Sequence, residues 1–281
     1  TQDMEVVAVY TQPDKPVGRK KVMTSPSVKV LANEKNIEVY QPARLRDENV
    51  VAQLQTIECD YIVVAAYGQI LPQEILDHAP CINLHASILP QYRGASPIQQ
   101  TLLNDDKQTG VTAMLMDIGL DTGAILKIQE IDVSKDEVAG TLFERLTSVA
   151  CELTVDVLRN FDTFTPVSQD DSLASHCTKI TKANGEVHFD DAYSLYNKYR
   201  AYTPWPGVYL ENGLKLKNIK LLEKCSENVS GRILAIGEKS IVLGCTKGSI
   251  EIFSVQAPSK KELDIISYIN GKRLALEDSL S

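Results

Sequence analysis

The strand pattern in the middle of the chain brings an amide, an imidazole and a carboxylate together. Asn83 and His85 end the apolar run that begins at Cys81, and Asp121 lies in a loop after the apolar run 111–116. Strand residues two positions apart share a face, so the Asn83 and His85 side chains project together at a carboxyl end. Open α/β sheets place their sites there. We therefore expect Asp121 to reach the imidazole from an adjacent strand.

These three residue types suit the transfer of an acyl group to an amine. When a neutral amine attacks a formyl carbon, the carbonyl oxygen becomes an oxyanion that needs donors about 2.7 to 3.1 Å away. The amide of Asn83 and a protonated His85 can donate, and Asp121 can hold the imidazole protonated and oriented. The amine proton can pass to the leaving nitrogen through these groups or a water, without a covalent enzyme intermediate.

Each residue also has an ordinary structural use. A histidine at a strand end often only packs, and a loop aspartate such as Asp121 often forms a turn or caps a helix. Gly119 and Gly123 are expected to permit the tight turn of this loop. Type and spacing alone therefore leave a structural role open for the three residues.

Alternating short strands and amphipathic helices over residues 1–160 predict an α/β domain with a Rossmann-like, mostly parallel sheet. The chain starts at what corresponds to the second strand of such a sheet, so we expect a first strand and Gly-rich turn to be missing. The predicted strands are Glu5 to Tyr10, Ile37 to Tyr40, Tyr61 to Ala66, Cys81 to Leu84, Val111 to Met116 and Ile125 to Ile131. The predicted helices are Ser27 to Glu34, Val50 to Gln55, Pro97 to Leu103 and Val138 to Arg159.

A polar segment, 161–174, predicts a linker, and the composition changes after it. Residues 175–281 predict a short helix at Tyr193 to Tyr199 and then a small OB-like β-barrel, because glycines separate five short apolar runs. Trp205, between two prolines, is expected to pack in the core. The five predicted strands are Gly207 to Leu210, Leu214 to Leu222, Gly231 to Ile236, Ser240 to Cys245 and Ser249 to Val255.

Length and composition are those of a globular chain. It has 281 residues, of which 43% are hydrophobic, enough for one large or two ordinary domains. No run approaches the roughly 18 apolar residues of a membrane span, and the first ten residues do not resemble a signal peptide, so we expect a cytoplasmic protein that does not bind membranes. The six cysteines form no CxxC pair, which argues against a zinc site or disulfides and favours a protein without metal.

The charge distribution is uneven. A net charge of −8 speaks against a nucleic-acid partner, since phosphate binding depends on local lysine and arginine density. Two basic clusters run against that average, although each is also typical of a solvated surface. They are Lys15, Arg19, Lys20, Lys21 and Lys29, and then Lys179, Lys182, Lys198, Arg200, Lys215, Lys217, Lys220 and Lys224.

The run NLHASILPQYRGASPIQ at 83–99, followed by GLDTG at 119–123, resembles the signature of the 10-formyltetrahydrofolate-dependent formyltransferases. The resemblance implies the formyltransferase fold, formyl-folate as the donor, and Asn83, His85 and Asp121 as the catalytic residues. Asp117 does not align with that aspartate, and we interpret it as structural. The resemblance further implies folate contacts from Ser87, Ile88, Leu89 and Pro90, and from Tyr67, Gly68, Gln69 and Ile70 in the loop AAYGQILP, which matches the one enclosing the pterin ring.

Two further resemblances concern the amine. Residues 11–32 resemble the family's basic loop that enters a tRNA acceptor stem, with Arg19, Lys20 and Lys21 as its charges, and RAYTPWPGVYLENG at 200–213 resembles the start of its appended tRNA-gripping barrel. They imply that initiator methionyl-tRNA is the acceptor. No protein partner is implied, and we expect a monomer. A formyltransferase acting on an amino sugar or a purine precursor, and a non-catalytic folate- or nucleic-acid-binding relative, remain alternatives.

Overall fold

The architecture is that of a computed structural model, which describes residues 4–18 and 20–280. Its strands are β1 (Ala8–Tyr10), β2 (Lys15–Val17), β3 (Val22–Thr24), β4 (Glu38–Tyr40), β5 (Ile62–Val64), β6 (Cys81–His85), β7 (Arg93–Gly94), β8 (Gln108–Leu115), β9 (Ile125–Asp132), β10 (His176–Cys177), β11 (Val208–Tyr209), β12 (Lys215–Glu227), β13 (Ile233–Ile236), β14 (Ile241–Gly244), β15 (Lys247–Gln256) and β16 (Leu263–Asp264). Its helices are α1 (Ser27–Glu34), α2 (Glu48–Gln55), α3 (Gln73–Leu76), α4 (Pro97–Leu103), α5 (Ala139–Arg159), α6 (Ala192–Tyr202) and α7 (Ile265–Lys272). No helix in the described ranges is long and apolar enough to cross a membrane.

Contacts divide the chain into two compact units. The first comprises Thr1–His85, Val111–Ile128 and Glu152–Ala174. The second comprises Ala86–Gly110, Gln129–Cys151 and Ser175–Ser281.

The first unit contains the parallel pairs that the alternating pattern predicts. β1 pairs with β4, and β5 pairs with β6, both in parallel. A core of apolar side chains from α2, α3 and β6 lies beside them, including Val51, Ile75 and Cys81. The prediction of a mostly parallel sheet left room for an antiparallel strand, and β8 runs antiparallel to β6 in the sheet β5-β6-β8-β9. The sheet is therefore mixed at the strand that leads to Asp121.

Helix α5 confirms the predicted amphipathic stripe. Its apolar residues recur at steps of three and four, and they are buried except for Val149, which is half-buried; the set is Leu142, Leu146, Val149, Leu153 and Val157. The stripe therefore serves packing.

The second unit contains an antiparallel sheet in the order β11-β12-β15-β14-β13, with β16 beside β15. Helix α6 packs on β12 and β15. Alternate residues of these strands form an aliphatic core with Ile265 and Ile269 of α7. The antiparallel strands confirm the β-rich prediction for this part of the chain.

The predicted closure of this sheet into a barrel is wrong for the described residues. Both outer strands hydrogen-bond to other segments instead of to each other. The Ile233 amide in β13 donates to Asp278 O at 2.9 Å, and the Val187 amide donates to Tyr209 O in β11 at 2.9 Å. These segments satisfy edge groups that barrel closure would otherwise pair.

Candidate active site

The carboxylate of Asp121 lies between the Asn83 amide and the His85 imidazole. Asn83 Nδ2 donates to Asp121 Oδ1 at 3.3 Å, and His85 Nδ1 lies 3.6 Å from Asp121 Oδ2. All three belong to the first unit, and the side chains of His85 and Asp121 are only 7% and 12% exposed. The structure thus brings together the three residues that the sequence singles out.

Strand β6 fixes two of these side chains. All five of its residues are buried, and it is paired on both sides, opposite β5 and β8. Because its backbone is held in two ladders, Asn83 and His85 share one face in a fixed orientation.

Asp121 reaches the imidazole from the loop after the adjacent strand β8, as expected. Since β8 is antiparallel to β6, Leu115 lies opposite Ile82, at the start of β6. The chain then folds back, and the Leu115 amide donates to Ala124 O at 2.8 Å. The loop 116–123 is therefore closed at its base and returns Asp121 to Asn83 and His85.

The turn chemistry of this loop differs in detail from the expected one. The left-handed residue is Asp121 itself, with φ of 55°, a conformation that aspartate tolerates better than most residues. Asp117 is structural, as expected, because its Oδ1 accepts from the Gly119 amide at 2.9 Å and from Thr122 Oγ1 at 2.7 Å. A Cβ on Gly123 would overlap the Leu115 carbonyl oxygen, so glycine is required there for close approach.

Gln169 holds the same loop from the predicted linker. Its Nε2 donates to Asp121 O at 2.9 Å and to Gly123 O at 2.8 Å. A glutamine in a polar segment carries no sequence signal for this role. Gln169 therefore fixes the backbone that carries the carboxylate, and sequence reasoning missed it.

The loop 65–72 begins beside Asn83. Strand β5 ends at Val64, which is paired in register with Asn83. Within the loop, Ala66 and Gly68 have φ of 49° and 75°, and Gln69 Oε1 accepts from the Leu45 amide at 2.8 Å. Burial raises the pKa of Tyr67, so its hydroxyl stays neutral near pH 7.

Side chains of this loop offer several kinds of contact. Gln69 Nε2 donates to Tyr67 Oη at 3.4 Å, while Ile70 is 74% exposed. A half-buried phenol, an amide and an exposed aliphatic side chain suit a flat, polar ring.

The segment Ser87 to Pro90 lies in the second unit and begins two residues after His85. Ser87 is fully buried and its Oγ donates to Gln91 O at 2.6 Å. Leu89 is also buried, whereas Ile88 and Pro90 are half-buried. The Ser87 hydroxyl therefore serves the local backbone.

The first basic cluster contains a β-hairpin that the sequence did not predict. β2 and β3 pair antiparallel, and all six of their residues are exposed. Lys20 and Lys21 lie exposed at the tip, where the Lys21 amide donates to Gly18 O at 3.1 Å. Arg19 lies outside the described residues.

Two expectations for the later basic segment are wrong. Arg200 is 2% exposed and donates to Asp105 Oδ1 at 2.7 Å, so it is not part of a surface cluster. Trp205 is 60% exposed and does not pack in the core, whereas the neighbouring Thr203 accepts from the Gly140 amide of α5 at 3.1 Å.

An amide and an imidazole around a buried carboxylate, on an α/β sheet followed by an antiparallel domain, are groups that can carry out acyl transfer to an amine. Comparison with protein families agrees. Residues 1–158 match the formyl transferase family, and residues 179–273 match the formyl transferase C-terminal domain family. The chain belongs to the formyltransferase family. Within the described residues no cluster of three or more His, Cys, Asp or Glu side chains could hold a metal ion.

Curated relatives are similar over the whole chain. The methionyl-tRNA formyltransferase of Sulfurimonas denitrificans is 65% identical over 281 residues, which cover 100% of this chain and 93% of the relative. That of Nitratiruptor sp. is 55% identical over 280 residues, covering 99% and 93%.

Solved structures share the fold. An N-formyltransferase of Helicobacter canadensis, in complex with folinic acid and dTDP-3-aminofucose, has a TM-score of 0.64 at 17% identity, over 88% of this chain and 87% of its own. HypX of Aquifex aeolicus, in complex with tetrahydrofolic acid, has a TM-score of 0.63 at 18% identity, over 88% of this chain and 45% of its own.

Proposed function

We propose that the protein transfers the formyl group of 10-formyltetrahydrofolate to the α-amino group of initiator methionyl-tRNA. The observation that carries the chemistry is the convergence of Asn83 and His85 on Asp121, within 3.3 and 3.6 Å. The acceptor is favoured by whole-chain similarity to relatives that bear the name methionyl-tRNA formyltransferase.

The three side chains then have separate tasks in one displacement. The amine nitrogen forms a bond to the formyl carbon, and the bond from that carbon to the folate nitrogen breaks. Asn83 and His85 donate hydrogen bonds to the oxygen that becomes negative. Asp121 orients the imidazole, and the proton leaving the amine reaches the folate nitrogen through His85 or a water.

The donor has two candidate contact segments. Tyr67, Gly68, Gln69 and Ile70 supply the phenol, amide and aliphatic groups described above for the pterin ring. The second segment begins two residues after His85, the last residue of β6. We propose that it contacts the folate through backbone and aliphatic groups of Ser87, Ile88, Leu89 and Pro90. No metal is required by this set of side chains.

The tRNA is proposed to meet the basic hairpin. Lys20 and Lys21 are exposed at its tip, and Arg19 stands between Gly18 and Lys20 in the sequence. Against a net charge of −8, such a local patch attracts phosphates while the body repels nonspecific nucleic acid. We further propose a division into a catalytic domain 1–160, a linker 161–174 and a tRNA-binding domain 175–281, in a monomeric cytoplasmic protein.

The decisive experiment offers formyl-folate with alternative amines. The measurement is kcat/KM for formyl transfer to each of four amines: methionyl-tRNA, free methionine, an amino sugar nucleotide and a purine-precursor amine. We expect methionyl-tRNA to be preferred by at least about 10³-fold, because tRNA contacts supply binding energy that small amines lack. Comparable rates with a small amine would overturn the proposed acceptor, and no transfer to any amine would overturn the enzyme.

A second experiment tests the hairpin. The double substitution Lys20→Glu and Lys21→Glu should weaken tRNA binding and flatten the dependence of log Kd on log salt, by roughly 0.7 to 0.9 per lost phosphate contact. Lys20→Gln with Lys21→Gln should give an intermediate affinity. Lys135→Glu, at an exposed lysine before α5, serves as the control. An unchanged slope in the double variant would remove the hairpin from the interface.

A further inference from the structure

The basic hairpin is joined to the 65–72 loop by one side chain. Gln12, between β1 and β2, donates from Nε2 to Tyr67 O at 2.8 Å. Its backbone oxygen accepts from Gln41 Nε2 at 2.9 Å, and its Oε1 accepts from Lys15 Nζ at 3.3 Å. Gln12 is therefore held by Gln41, directly after β4, and contacts the hairpin through Lys15 and the loop through Tyr67.

Asp14 clamps the base of the hairpin. Its carboxylate accepts from Lys29 Nζ at 3.0 Å, from Ser25 Oγ at 3.1 Å and from Gln41 Nε2 at 2.7 Å. The bonds from Gln41 and Lys29 lower the pKa of Asp14, so it is ionised near pH 7. Asp14 precedes β2 and Ser25 follows β3, so this carboxylate ties both ends of the hairpin to α1 and to the end of β4.

The Tyr67 carbonyl, which accepts from Gln12, lies in a loop whose backbone is restrained on both sides. Tyr67 stands between Ala66 and Gly68, which both have positive φ. The loop is also tied at Gln69, whose Oε1 accepts from the Leu45 amide. A ligand that favours this arrangement of the Tyr67 peptide therefore also favours the bond from Gln12.

We propose that Gln12 is a positioning residue that couples formyl-folate binding at loop 65–72 to tRNA binding at the hairpin. This inference rests on the proposed function, since it assigns those two ligands to the two segments. Occupation of the loop fixes the Tyr67 carbonyl, and Gln12 and the Asp14 clamp then fix the direction of the hairpin. The coupling is reciprocal, so tRNA raises folate affinity by the same factor.

The test measures the affinity for methionyl-tRNA with and without saturating folinic acid, an unreactive formyl-folate. In the unaltered protein we expect folinic acid to tighten tRNA binding by about fivefold or more. In Gln12→Met, which has a similar length and no donor, the tightening should fall below about twofold. The affinities for each ligand alone should change much less than the coupling.

A matched control removes the same kind of bond elsewhere in the first unit. Gln55 Nε2 donates to Glu74 O at 3.2 Å, and Gln55→Met should keep the full coupling. Gln12→Glu provides a second variant, because it retains an oxygen for Lys15 but cannot donate to Tyr67. It should lose the coupling as Gln12→Met does.

Each outcome separates this inference from the proposed function. Two outcomes would overturn the role of Gln12 and leave the proposed function intact. In the first, the unaltered protein binds both ligands tightly but shows no coupling between them. In the second, both Gln12 variants keep the full coupling. Failure of the unaltered protein to bind either ligand would overturn the proposed function itself.

Discussion

Two aspartates with nearly the same conformation and exposure have opposite surroundings. Asp105, in the second unit, and Asp121, in the first, have φ of 54° and 55° and side chains 13% and 12% exposed. Asp105 accepts from Arg200, Lys107 and Tyr193, each at 2.7 Å. Asp121 faces an amide at 3.3 Å and an imidazole at 3.6 Å.

The difference lies in the partners. Asp105 has two permanent cations, because arginine and lysine stay charged near pH 7. The partners of Asp121 are an amide and an imidazole, and an imidazole can donate a proton at one ring nitrogen and accept one at the other, which a proton-transfer site needs. Backbone strain and burial are thus shared by a structural and a candidate catalytic carboxylate, and the chemistry of the partners separates them.

The largest expected effect is on the free energy of unfolding, when the arginine that pairs with Asp105 is replaced. Arg200→Met leaves Asp105 and the Glu137 and Ser134 carbonyl oxygens without their guanidinium donor. Removing one partner of a buried ion pair costs about 3 to 5 kcal/mol. We expect the free energy of unfolding in urea to fall by that amount. A loss below about 1 kcal/mol would mean that the pair does not stabilise the fold.

At the other aspartate the expected loss is in turnover. Asp121→Asn, or His85→Ala, should lower kcat for formyl transfer at least about a hundredfold, with little change in the free energy of unfolding. Asp117→Asn is the matched control in the same loop, because an amide oxygen can still accept from Gly119 and Thr122; its kcat should stay within about threefold. Near-normal turnover of Asp121→Asn would contradict the proposed role.

The sequence predicted regular elements well where apolar periodicity was clear. Helices α1 and α4 begin and end at the predicted residues, and β1, β4, β5, β6, β8 and β9 all lie within three residues of the predicted bounds. The same pattern indicated that Asn83 and His85 share a face. It did not give the direction of β8, because an apolar run is equally compatible with parallel and antiparallel pairing.

Other features depended on partners far along the chain. Nothing near Arg200 indicates that it pairs with Asp105, 95 residues away, and charged residues are ordinarily exposed. The hairpin β2–β3 has short, fully exposed strands without alternation, so it left no signal. Gln12 and Gln169 act through their amides on backbone oxygens, which any exposed glutamine could do.

An acid titration sharpens the comparison further. Burial opposes ionisation of Asp105, but the bonds from Lys107, Tyr193 and Arg200 outweigh it and lower its pKa to about 2. The ordinary value is 3.8, so the contribution is complete above that pH and is lost as the pH falls towards 2. The gap in unfolding free energy between the unaltered protein and Asp105→Asn should narrow by about 2 kcal/mol over that range. A constant gap would contradict this assignment.

The smallest expected effect tests which property of the partners of Asp105 stabilises the fold, their burial or their charge. Lys107 and Arg200 both donate to it at 2.7 Å, yet their side chains are 74% and 2% exposed. Water screens the lysine, and exposed ion pairs contribute about 0 to 1 kcal/mol, so Lys107→Met should lower the free energy of unfolding in urea by less than about 1 kcal/mol. Equal losses in Lys107→Met and Arg200→Met would mean that charge alone fixes this carboxylate. A large excess in Arg200→Met would assign the stability to the buried guanidinium, a permanent cation that has no counterpart in the contacts of Asp121 with Asn83 and His85.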